Sequence, residues 1–91
     1  VTAYPWESGV GFGAKYSDPA TVPAGDGKYV EYTAADDALL VSVRGSPSIV
    51  AAYAWSDSGF GTKFSDPGST IGAGQSHDIS ADDDVVAVAG F

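Results

Sequence analysis

Apolar residues in this chain recur at every second position, in short runs broken by Gly, Pro, Asp and Ser. In Val1 to Trp6, Thr2, Tyr4 and Trp6 alternate with Val1, Ala3 and Pro5, and in Ile49 to Trp55, Ala51, Tyr53 and Trp55 alternate with Val50, Ala52 and Ala54. A period of two predicts strands, and apolar residues at both phases predict strands covered on both faces. Ala38 to Val43 and Val85 to Ala89 are β-rich runs of the same two-sided kind, whereas Tyr29 to Thr33 and Ser76 to Ser80 alternate with one less apolar face. Phe12 to Ser17 and Phe60 to Ser65 complete the set, each ended by Asp-Pro, because proline brings no ladder donor. Ala34-Ala35-Asp36-Asp37, Ala81-Asp82-Asp83-Asp84 and Gly45-Ser46-Pro47-Ser48 read as hairpin connections. No stretch has the length and 3.6-residue period of a helix.

The runs also repeat. Val1 to Gly25 matches Val50 to Gly74, and Thr33 to Asp37 matches Ser80 to Asp84, at a period of about 48 residues. One period holds four strands: Tyr29 to Thr33, Ala38 to Val43, Ile49 to Trp55 and Phe60 to Ser65, followed by a crossover from Pro67 to Gly74. Four short antiparallel strands with two apolar faces describe one blade of a β-propeller. A sandwich made of the two halves is the rival, but it would leave one face of each sheet wet.

The residues themselves resemble WD-repeat-like β-propeller blades. The resemblance rests on Thr33-Ala34-Ala35-Asp36-Asp37 before an apolar strand, Ser46-Pro47-Ser48-Ile49, and Tyr53-Ala54-Trp55 closing the third strand. Neither repeat has the family's Gly-His pair, and Trp55 and Trp6 are followed by Ser56-Asp57 and Glu7, so that family's hydrogen-bonded network is not carried over. Divergent prokaryotic and phage-like blades, with their Gly-Phe-Gly-x-Lys-Tyr/Phe-Ser-Asp-Pro strand, are the more similar. The resemblance implies an all-β fold of two four-stranded antiparallel blades, as an engineered propeller fragment or an intermediate of propeller evolution would have.

The phase of the repeat sets an expectation about assembly. Residues 1–19 supply the third and fourth strands of one blade, 29–67 a complete blade, and 75–91 the first and second strands of another. The two half-blades complement each other between chains, which would place Val1, Ala3, Tyr4 and Trp6 of one copy beside Val86, Val88 and Phe91 of the next. Such head-to-tail contacts close into rings. Two blades per chain allow even totals, so a homotrimer of six blades is expected ahead of a homotetramer of eight.

Composition narrows the chemistry. A formal charge of -8 argues against nucleic acid and anionic membrane partners, and no apolar run reaches bilayer length. With no Cys, disulfides and thiolate metal sites are excluded; with no Met, the chain reads as a trimmed product or fragment whose compartment stays open. The Asp clusters lack calcium-loop spacing and read as turn residues. His77 stands between Ser76 and Asp78, which point to the opposite strand face, so no triad is expected. Trp6, Trp55, Tyr4 and Tyr53 suit packing between blades; Lys15 and Lys63 suit pairing with Asp18 and Asp66. Glu31 and Asp78 hold matched positions on the innermost strand, where a ring would set them around an axial channel. No catalytic residues, cofactor or metal site are expected. A self-assembling structural module is the leading reading, and a glycan-binding, lectin-like module with pockets at Ala20 to Lys28 and Gly68 to Gln75 is the alternative.

Overall fold

A computed structural model of the chain describes residues 1–23, 25–44, 50–67 and 74–90, with residues 74, 75 and 90 described by backbone alone. Among these residues there is no helix, and all strand pairing is antiparallel. The strands are β1 (Trp6–Glu7), β2 (Gly11–Phe12), β3 (Asp26–Tyr32), β4 (Ala38–Arg44), β5 (Val50–Ser56), β6 (Gly59–Lys63), β7 (Gly74–Ile79) and β8 (Val86–Gly90). They form a central sheet in the order β3-β4-β5-β6, flanked by the two-stranded sheets β1-β2 and β7-β8.

The repeat is visible in the backbone. Strand β3 meets β4 with a bulge between Gly27 and Tyr29, and β7 meets β8 with the same irregularity between Gly74 and Ser76. Trp55 lies opposite Phe60 in the central sheet, as Trp6 lies opposite Phe12 in the first hairpin. The turns at Asp36 and Asp83 match as well. Both residues adopt left-handed backbone, at φ 56° and 57°, and each amide bonds back to the carbonyl three residues earlier, Thr33 and Ser80. Aspartate is among the few residues other than glycine that enter this region readily.

The core sits in the central sheet. Leu39, Leu40, Val41, Ser42 and Val43 are all buried, so β4 is covered on both faces as its two-sided pattern requires. On one face Val41, Val43, Ala51 and Tyr53 form a cluster with Phe60 against it. The segment after the first hairpin covers this face: Tyr16 packs edge-on to Trp55, and the Tyr53 hydroxyl donates to the Thr21 carbonyl at 2.7 Å. On the other face β7 lies across β3 and β4.

The first hairpin departs from its sequence pattern. Val1 to Trp6 and Phe12 to Ser17 were expected as full strands, yet regular pairing is confined to Trp6–Glu7 with Gly11–Phe12. Two further bonds, from the Gly13 amide to the Pro5 carbonyl and from the Tyr16 amide to the Ala3 carbonyl, carry the hairpin outward. The matched strand β5 has β4 on its other side, and β1 has no such neighbour among the described residues. Apolar side chains here stand in solvent: Trp6 is 65% exposed and Phe12 75%. The turn expected at Gly45 to Ser48 and the positions Ile49 and Phe91 lie outside the described residues, as does most of the second crossover.

Candidate functional site

The contact between β7 and the central sheet is the most elaborated polar site among the described residues. Register sets Tyr29 opposite Ser42 and Glu31 opposite Leu40, so Tyr29, Glu31 and Ser42 share the face that β7 covers. His77 projects from β7 into that face. Its Nδ1 lies 2.6 Å from Ser42 Oγ, its Nε2 lies 3.5 Å from Glu31 Oε1, and the Tyr29 ring meets it edge-on at 5.1 Å. Ser42 is fully buried and His77 is 6% exposed. Burial of the ring pulls the His77 pKa below the ordinary histidine value, outweighing the upward pull of Glu31 and Asp78.

A neutral ring has one N–H, and its neighbours decide which nitrogen carries it. A carboxylate only accepts, so the proton belongs on Nε2 facing Glu31, and the Ser42 hydroxyl then donates to Nδ1. At 3.5 Å the Nε2 to Oε1 approach is too long to be a full bond, and both atoms are buried without another partner among the described residues. Ser42 and His77 thus have the contact of a nucleophile and its base, but the Ser42 hydroxyl is sealed from solvent.

A second contact fastens the same joint at its rim. The Asp83 carboxylate accepts from the backbone amides of Ala34 at 3.0 Å and Ala35 at 3.3 Å, so one unit's turn clasps the turn of the unit before it. Within each turn a hydroxyl organises the loop. Thr33 Oγ1 accepts from the amides of Asp37 and Ala38 and donates to Asp37 Oδ1, and Ser80 does the same with Asp84 and Val85. Asp37, Asp83 and Asp84 are therefore occupied with backbone and hydroxyl groups, and no cluster of three potential metal ligands occurs among the described residues.

No protein-family model, curated protein or solved structure matches the chain.

The expected residues fall in different places. Glu31 lies in the joint beside His77, whereas Asp78, its match in the next repeat, is exposed. Lys15 pairs with Asp18 at 2.8 Å and Lys63 with Asp66 at 2.6 Å, as their spacing suggested. Of the strand-edge set, Ala3 is buried, Val88 is half-buried, and Val1, Tyr4, Trp6 and Val86 are exposed. Two clefts stand near the loops. One of about 500 Å3 runs along Val22, Pro23, Gly25 and Asp26 in the first crossover, and one of about 380 Å3 is framed by Tyr32, Trp55, Asp36 and Asp57.

Sequence reasoning missed the Ser42 and His77 contact because the partners lie 35 positions apart. A signal was present. At the matched positions one period away, His77 is answered by Val30 and Ser42 by Ala89, so both partners are polar exceptions in an apolar repeat.

Proposed function

We propose that this chain is a structural assembly module: a pair of WD-repeat-like propeller units, without catalytic activity, that completes a ring with further copies of itself. The observation that carries this reading is the joint inside the chain, where β7 docks on β3 and β4 while the repeat-equivalent outer surfaces stay uncovered. The β1-β2 hairpin has the form of the β5-β6 half of the central sheet, and β7-β8 has the form of its β3-β4 half. Each two-stranded sheet therefore fits the open edge of the other from a second copy, and that pairing covers Tyr4, Trp6 and Val86. Burying one large apolar side chain contributes about 2 kcal/mol, so several of them outweigh the mutual repulsion of acidic protomers at physiological salt.

In such a ring the contact is head to tail, and closure sets the copy number. Three copies give six blades and four give eight, and we favour three. Glu31 and Asp78 would then stand on the innermost strands of successive blades. Native mass spectrometry of the 91-residue chain tests the reading: a closed trimer or tetramer is the expected species, and a monomer with intact β-sheet spectra at micromolar concentration overturns it.

The cleft lined by Tyr32, Trp55, Asp36 and Asp57 favours a second reading, a carbohydrate-binding module, since aromatic walls with nearby carboxylates suit sugar rings. A thermal-shift panel of neutral and acidic sugars separates the two. Stabilisation by one sugar class supports the second reading, and silence across the panel removes it.

A further inference from the structure

We propose that Asp36 is the docking residue of the chain's outer face, and that its carboxylate clasps the backbone amides of Ala81 and Asp82 in a second copy. The inference rests on the assembly reading and adds the contact that recognises the partner. Its template is inside the molecule, where Asp83 accepts from the amides of Ala34 and Ala35 in the preceding unit's turn. Asp36 is the repeat counterpart of Asp83, and Ala81 and Asp82 are the counterparts of Ala34 and Ala35, all at one offset along the sequence.

Both halves of the second clasp are ready and unused. Asp36 and Asp83 share the same left-handed φ at matched positions of matched turns, so the second turn can offer its carboxylate as the first one does. The Asp36 carboxylate is exposed and makes no ion pair or hydrogen bond among the described residues, and Ala81 and Asp82 are exposed on the turn that would receive it. The strand surfaces behind the two turns agree with the same placement. Val30, the counterpart of buried His77, is 52% exposed on β3. Laid on a second copy as β7 lies on β3 and β4, it would meet Ser76, Asp78 and Ala89, the counterparts of Tyr29, Glu31 and Ser42. The joint between copies would thus combine a strand contact at Val30 with a carboxylate clasp.

The test compares Asp36→Gly, Asp36→Asn and Ala81→Pro with the unaltered chain. Glycine keeps the left-handed turn while removing the carboxylate, and asparagine keeps one acceptor oxygen. Proline suits the second position of the Ser80 to Asp83 turn and removes one donor amide. Sedimentation equilibrium should show association weakened about tenfold or more in Asp36→Gly, as loss of a charge-assisted contact implies, with a smaller loss in Asp36→Asn. Circular dichroism and melting of the dilute protein should be unchanged. Mixing Asp36→Gly with Ala81→Pro should give a heterodimer, because one competent clasp survives. If the unaltered chain associates and Asp36→Gly associates equally well, this inference fails and the assembly reading stands. If the unaltered chain is monomeric, both fail.

Discussion

His77 is buried in the joint between β7 and the central sheet, so its charge state bears on the fold. Its pKa is lowered on folding, so the unfolded chain binds the extra proton more readily and acid draws the equilibrium toward it. The joint is therefore fully stable above the unfolded value near 6.5 and loses stability as the pH falls toward the depressed folded value. Glu31 and Tyr29 from β3, Ser42 from β4 and Asp78 on its own strand are the groups around it. The double variant Ser42→Ala with His77→Val copies what the other repeat already carries, Ala89 and Val30. It should melt at nearly the same temperature at pH 7.5 and at pH 5.5 while the parent drops by several degrees, measured by circular dichroism; equal slopes in the two proteins would refute a role for the ring. At this scale the sequence was least legible. Alternation assigns His77 a strand face but says nothing of Ser42, whose partnership exists only once two sheets are stacked.

At the level of elements, strand identity could be read wherever a strand has neighbours on both sides. Strands β4 and β5 were expected within a residue or two of their observed bounds; Leu39 to Val43 of β4 are buried, and β5 is buried at Val50, Ala51 and Tyr53 and half-buried at Ala52, Ala54 and Trp55. The runs Val1 to Trp6 and Val85 to Ala89 carry a similar pattern yet remain largely exposed, because a pattern records what a strand is suited to touch, whether or not the partner is present. The β4-β5 register supplies the missing alignment. Leu39 opposes Tyr53 and Leu40 opposes Ala52, so one period away Val86 should oppose Tyr4 and Ala87 should oppose Ala3 of the next copy. The chain has no cysteine, so Ala3→Cys with Ala87→Cys introduces the only thiols. Mild oxidation should link chains to one another in this variant. A Thr2→Cys with Ala87→Cys pair, one position out of register, should link far less on a denaturing gel.

Over the whole molecule, charge opposes what apolar surface favours. Each chain carries a formal charge of -8, and the proposed clasp brings Asp36 near Asp82 of its neighbour. Screening should help. Raising the salt from about 20 mM to about 300 mM shortens the Debye length severalfold, so association should tighten by light scattering; weaker association at high salt would mean that attraction between opposite charges dominates the contact.

In the proposed assembly the two kinds of joint would also differ in what dissolves them. Inside a protomer the seam is His77 with Ser42 and Glu31; between protomers the corresponding seam would contain Val30, Asp78 and Ala89, with no histidine. Mild acid would then act on the protomer itself before it acts on the contact between copies. If the proposed rings form, subunits opened in this way would close again onto a neighbour's sheet, so a brief acid pulse would be a route to exchange of β7-β8 arms, with the overall number of blades conserved.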